Sequence, residues 1–150
     1  MNTDAKNHIE SCIKNACNNS GGFSWHSVGG GSINKAFRVT CNEQHFFVKV
    51  NSTTVFENGF SEEVKGLQFL QSSDAATPNI IDYGTYNEVI FLILLWVDYQ
   101  RETDDFWANF GRQLANLHKH THTAYGLDYM NFMGQLEQQN SFSDNFTDFF

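Results

Sequence analysis

The sequence has a single proline, three cysteines, nine basic side chains against seventeen acidic ones, and no long apolar run. Each scarcity excludes something. The formal net charge of −8 argues against a nucleic-acid binder, which displays a basic face, so any phosphate recognition has to be local. Cys12, Cys17 and Cys41 are odd in number and show no C-x-x-C spacing, which reads as free thiols in a reducing compartment. The longest apolar run, residues 89–97, is too short to span a bilayer, and residues 1–8 have no apolar signal core. The expectation is a cytoplasmic protein with no membrane partner. No repeat or low-complexity tract is present, and the only linker candidate is 98–102.

What the sequence does have is fifteen phenylalanines, a hydrophobic fraction of 41%, and one stretch around which the rest is arranged. A strand-like Phe23-Ser24-Trp25-His26-Ser27-Val28 leads into Gly29-Gly30-Gly31-Ser32-Ile33-Asn34, then into a second apolar-rich strand. Glycines in such a turn let bare backbone N–H groups approach a ligand, because no Cβ intervenes. Lys49 sits inside the following Phe46-Phe47-Val48-Lys49-Val50-Asn51, where an ammonium needs an anionic partner, and nucleotide phosphates are the obvious one.

In chain order, Ile9, Cys12, Ile13 and Ala16 give 3–16 a weak helical stripe, ending at the turn formers of 18–22. Cys41-Asn42-Glu43-Gln44 reads as a hairpin turn into a third strand, 45–51. Phe56, Phe60, Val64, Leu67 and Leu70 recur at three and four, which predicts an amphipathic helix with Glu63 beside its apolar face. Pro78 closes the loop after it. Two more strands, 80–84 and 88–95, are expected around a Thr85-Tyr86-Asn87 turn, the second of them central and buried. Thr103 is the expected N-cap of a second helix, with Asp104 and Asp105 in its first turn and Phe106, Phe110, Leu114 and Leu117 as its buried stripe. The order of three strands, a helix and two strands predicts an α+β unit with an antiparallel sheet over 1–97, and a helical part over 98–150. Residues 144–150 read as the opening of a further helix, so the chain reads as incomplete. The aromatics Phe142, Phe146, Phe149 and Phe150 are then core for a missing part, and bare aromatic surface favours self-association.

Taken together, several pieces resemble the fructosamine (ketosamine) kinases, of the aminoglycoside- and choline-kinase-like branch of the protein-kinase fold. They are Gly29-Gly30-Gly31-Ser32-Ile33-Asn34, Phe47-Val48-Lys49-Val50-Asn51, Phe60 with Glu63 and Leu67, Leu114-Ala115 with Leu117-His118, Tyr125-Gly126, Asn131, Gly134, Gln138 with Asn140, and Phe149-Phe150. The resemblance implies an N-terminal lobe of five antiparallel strands plus a helix, followed by the first helices of a C-terminal lobe. It implies that Gly29, Gly30, Gly31, Ser32, Ile33 and Asn34 cover the phosphates of ATP, that Lys49 pairs with them, and that Glu63 holds Lys49. Leu95, Trp96 and Val97 become the hinge whose backbone reads adenine. Gln138 and Asn140 fall on the substrate side, and the implied partners are ATP with Mg2+ and ketosamines, free or on glycated proteins.

The sequence also departs from the family pattern. Ser32 stands where many members have cysteine, Leu95 where an acidic hinge residue is common, and Phe146 where a tryptophan is usual. No His-Gly-Asp occurs, so the family's catalytic loop and metal-binding aspartate are absent from these residues. A lysine and a glycine turn position ATP but do not drive transfer, and these residues alone are expected to be inactive. Two other readings stand beside this one, a non-catalytic nucleotide-binding or interaction module and a choline- or aminoglycoside-type kinase. His118, His120 and His122 read as a solvated cluster, since no further protein ligand stands at a telling distance.

Overall fold

The computed structural model describes residues 1–17, 21–29, 33–55, 59–73, 75–134 and 136–149. They form two compact units, Met1–Val64 with Pro78–Val97, and Lys65–Thr77 with Asp98–Phe150.

The first unit is built on a five-stranded antiparallel sheet of order β1-β2-β3-β5-β4. The strands are β1 (Phe23–Val28), β2 (Lys35–Cys41), β3 (Gln44–Ser52), β4 (Ile80–Tyr86) and β5 (Val89–Leu95). This is the α+β fold expected from the strand and helix order. Alternation along β3 explains its place: Phe46, Val48 and Val50 are buried on one face, while Phe47, Lys49 and Asn51 lie half-buried on the other. The first set forms a single core with Val39, Cys41, Phe91 and Ile93, closed by Ile9 and Ile13 of α1 (Thr3–Cys17). The weak stripe read in α1 thus understates it, since the helix covers a whole face of the sheet. It is tied down at its margin by Trp25 Nε1 donating to Glu10 Oε1 at 2.8 Å and by His8 stacked on Tyr86 at 4.4 Å between ring centroids.

The β2–β3 and β4–β5 turns each rest on an asparagine in the left-handed region, Asn42 (φ 53°) and Asn87 (φ 52°), a conformation that asparagine tolerates better than most side chains. This corrects the expected Thr85-Tyr86-Asn87 turn. Tyr86 still pairs with Val89, and the turn is Asn87-Glu88. β5 is bonded to β3 on one side and β4 on the other, and residues 90–94 are all buried, as a central strand demands.

The three thiols are unbridged. Burial, reinforced by a hydrogen bond and charge from Asp82, pushes Cys12 up to about 12. Burial also raises Cys17, with Cys41 adding to it.

Helix α2 (Ser61–Ser72) starts with Glu62 and Glu63 in its first turn, where the helix dipole favours carboxylates. It begins later than its apolar spacing predicts; Phe60 and Val64 are buried, and Phe56 lies outside the described residues. In the second unit, α3 (Phe106–Leu117) corrects two expectations. Its N-cap is Asp105 rather than Thr103, whose carbonyl instead accepts the Phe106 N–H at 3.0 Å. Its stripe is not buried: Phe106, Phe110 and Leu114 are 39%, 50% and 40% exposed. Beyond it lie a short hairpin, β6 (Asn131–Met133) and β7 (Leu136–Gln138), unforeseen in the sequence, and the single turn α4 (Phe146–Phe149).

Candidate functional site

Strand β3 carries Lys49 in mid-sheet, opposite Ala36 of β2 and Leu92 of β5. The side chain leaves on the face away from α1 and meets the first turn of α2, where its Nζ lies 2.5 Å from Glu63 Oε2. Its neighbour Glu62 accepts from the Ser61 hydroxyl. The Lys49 ammonium also lies over the Phe60 ring, 5.3 Å from its centroid. An ammonium has three donors, so among the described residues the Glu63 bond leaves two for an anion.

Of the glycine turn, Gly29 is exposed, and a Cβ built on it would meet nothing within 4 Å among the described residues. Its want of a side chain therefore answers no packing demand from those residues. Gly30, Gly31 and Ser32 lie outside the described residues. The descending limb, Ile33 and Asn34, is fastened to β3 by Asn51. Asn51 Nδ2 donates to the Ile33 carbonyl at 3.1 Å and to Asn34 Oδ1 at 2.8 Å.

At the other end of the same face, Phe47, Pro78, Leu94, Leu95, Trp96 and Val97 line an apolar cleft of about 260 Å³. That volume is close to the lower bound of small-molecule sites, roughly 300 Å³. The hinge residues expected from the sequence differ in what they offer a ligand. The Leu95 N–H donates to the Asn79 carbonyl at 2.8 Å, and that of Trp96 to the His45 carbonyl at 3.0 Å. The Val97 N–H has no partner among the described residues, so it is the hinge donor open to a ligand. Trp96 is braced by Phe47 at 6.1 Å and by the Arg38 guanidinium, 5.0 Å from its ring centroid. The Arg38 Nε is buried without a hydrogen-bond partner among the described residues.

The structure therefore brings Ile33, Asn34, Lys49, Glu63, Leu95, Trp96 and Val97 into one unit, with an ammonium at one end and an apolar cleft with the Val97 N–H at the other. Sequence reasoning assigned no role on this face to Arg38, nor to Phe47, Asn51 and Phe60, although these three fall within the pieces that carry the resemblance. The signal for two of them was available, since Phe47 and Asn51 are each two residues from Lys49 on one strand.

Gln138 and Asn140 belong to the second unit. Gln138 is half-buried on β7, paired with Asn131. Asn140 Nδ2 donates to Asn131 Oδ1 at 2.9 Å and to the Tyr129 carbonyl at 3.3 Å, and its own carbonyl accepts the Leu127 N–H at 2.7 Å. Its amide donors thus serve to clasp the hairpin. His122 stacks on Phe142 at 5.5 Å, and the described residues hold no group of three or more histidine, cysteine or carboxylate side chains able to bind a metal.

A lysine held by a helix carboxylate in the middle of a five-stranded antiparallel sheet, with an apolar cleft at the end of β5, is the arrangement of a protein-kinase-like fold. The family model for fructosamine kinase matches residues 1–150, and the chain belongs to that family. It is 32% identical over 126 residues to a Synechocystis protein named "Probable ketoamine kinase", an alignment covering 83% of this chain and 42% of the relative. Crystal structures of proteins assigned as fructosamine-3-kinases share its fold. The one from Haemophilus somnus has a TM-score of 0.84 at 20% identity, covering 94% of this chain and 48% of that one. The one from Thermobifida fusca has a TM-score of 0.74 at 21% identity, covering 95% and 49%. The chain thus spans about half the length of the relatives it matches.

Proposed function

We propose that these residues are the nucleotide-holding part of an ATP-dependent ketosamine kinase. The reaction moves the γ-phosphoryl group of ATP onto a sugar hydroxyl of a fructosamine or ribulosamine adduct, on a free amine or a protein, as a step in deglycation. The hydroxyl gives up its proton as the phosphate ester forms and ADP leaves. The observation that carries this reading is the Lys49–Glu63 pair, a mid-sheet cation held by a carboxylate of α2, with two donors unpartnered among the described residues.

Within this reading Lys49 binds the phosphates, the limb at Ile33 and Asn34 borders them, and the cleft at Phe47, Trp96 and Val97 takes adenine, with the Val97 N–H as a donor. Gly30, Gly31 and Ser32 are assigned to the phosphates by resemblance only. Magnesium neutralises phosphate charge in kinases of this class. The described residues do not fit such an ion, and we assign its ligands, like the general base, to sequence outside these residues. Gln138 and Asn140 are proposed for the ketosamine side, where Asn140 acts by shaping the hairpin. No described helix is long and apolar enough to cross a membrane. The proposed setting is the cytoplasm and the partners are small molecules and glycated proteins, not nucleic acid. The exposed cluster of Phe106, Trp107 and Phe110 on α3 is proposed to promote self-association.

Thermal unfolding with and without millimolar Mg-ATP tests the reading. A rise in melting temperature that Lys49→Ala abolishes is expected. An equal rise in Lys49→Ala, or none in the parent chain, refutes it for these residues.

A further inference from the structure

Asn51 lies two residues beyond Lys49 and shares its strand face. Its amide is fully used: Nδ2 donates to the Ile33 carbonyl and to Asn34 Oδ1, while Oδ1 accepts the Ser52 N–H at 2.8 Å. This set admits one orientation. Exchanging oxygen and nitrogen would set Nδ2 against the Ser52 N–H and Oδ1 against the Ile33 carbonyl, two repulsive contacts. Asn51 in turn fixes Asn34. Because Asn34 Oδ1 is the acceptor, its NH2 is the group left over, and it has no partner among the described residues.

The clasp is not needed to hold the strands together. β2 and β3 are paired from Lys35↔Val50 to Cys41↔Gln44 without it. Ile33 and Asn34 are only half-buried, and Ile33, Val50 and Asn51 border a cavity of about 290 Å³, so packing leaves the limb room that the clasp takes up. What Asn51 adds is control of the two residues that join the glycine turn to the sheet.

We propose that Asn51 is a positioning residue for the nucleotide phosphates. It locks the descending limb of the glycine turn to the Lys49 strand and orients Asn34, whose NH2 then donates to the same phosphates as the Lys49 ammonium. The inference rests on the nucleotide reading of Lys49 given above.

The test compares ATP and adenosine affinities, by competition against a fluorescent nucleotide, for the parent chain and for Lys49→Ala, Asn51→Ala, Asn51→Asp, Asn34→Ala and the Asn34→Ala/Asn51→Ala double variant. Asn51→Ala is expected to weaken ATP about tenfold and leave adenosine unchanged. Asn51→Asp, though isosteric, is expected to weaken ATP further, because its carboxylate faces two oxygens and can donate to neither. The double variant should be no weaker than the weaker single variant, since both act through one contact. Should Asn51→Ala fold poorly, Asn34→Ala carries the same expectation from the other side of the clasp. Asn51→Asp binding ATP better than Asn51→Ala, additive losses, or equal losses for ATP and adenosine would overturn the proposal. If Lys49→Ala retains ATP, the nucleotide reading falls and takes this inference with it. If Lys49→Ala loses ATP while the Asn51 and Asn34 variants keep it, only this inference falls.

Discussion

Replacing Glu63 by alanine should disturb the fold little and nucleotide binding a good deal. The Lys49–Glu63 contact is close, at 2.5 Å, but the two side chains are 20% and 38% exposed. Two charges 4 Å apart near a surface attract by about 4 kcal/mol at an effective dielectric of 20, most of which desolvation and side-chain ordering offset. Exposed pairs net about 0.2–1 kcal/mol, and this half-sheltered one should sit near the top of that range. Lys49 also keeps the Phe60 ring when the carboxylate is gone. The expected change in melting temperature is therefore about 2–4 °C for a chain of this size. Binding responds differently. Freed of Glu63, the lysine regains rotamer freedom that an incoming phosphate must remove again, on the order of 1–2 kcal/mol, so affinity for ATP should fall roughly 5- to 30-fold. Loss of the carboxylate's repulsion toward phosphate works the other way. Glu63→Gln separates the two effects, because it keeps an acceptor for Lys49 without the charge, and should bind ATP better than Glu63→Ala. Calorimetric titration alongside thermal melts reads both quantities. A Glu63→Ala chain that loses more than about 3 kcal/mol of stability would make the pair a buried structural bridge. One that binds ATP at least as tightly as the parent would refute the orienting role.

Three further outcomes are expected. Ile13→Ala, at a fully buried position of the α1–sheet core, should lower stability by about 2–5 kcal/mol in chemical denaturation, while the folded fraction keeps its nucleotide affinity. Val97→Pro removes the one hinge N–H without a partner among the described residues, and should weaken ATP about two- to tenfold with little change in melting, whereas Leu95→Pro breaks the bond to Asn79 and should destabilise the sheet. Cys12, pushed up to about 12 from 9.0, stays protonated in the folded chain while the unfolded chain ionises, so stability should fall as pH rises above 9, and Cys12→Ala should flatten that fall in melts between pH 8 and 10.

The sheet was legible because alternation in β3 and the unbroken apolar run of β5 are themselves consequences of strand geometry, and Lys49 stood out because a cation interrupts them. The α3 stripe shows the limit of the same reasoning. A period of 3.6 identifies a face but not what lies on it, and Phe106, Phe110 and Leu114 are exposed in these residues. The turn at Asn87-Glu88 was misplaced by a residue or two because Thr85 and Tyr86 suit a strand and a turn margin equally well, and only the left-handed backbone of Asn87 decides between them. β6 and β7, with three residues each, are too short to carry any period. Asn51 stayed hidden because asparagine at a strand end reads as a turn former, and its work depends on which backbone carbonyl lies across from it. The resemblance supplied the roles of Glu63 and the hinge, which spacing alone left open.

The placement of β3 between β2 and β5 has a consequence for how the lysine can respond to a ligand. With neighbours bonded along both edges, the backbone under Lys49 opens only when the sheet does. In amide hydrogen exchange its N–H groups should be among the last to yield, long after those of the edge strand β1. With the limb at Ile33 and Asn34 clasped to the same strand by Asn51, adjustment to an arriving anion is then left to the four-carbon stem of the lysine. The anvil is fixed, and what fits itself to the ligand is the side chain that stands on it.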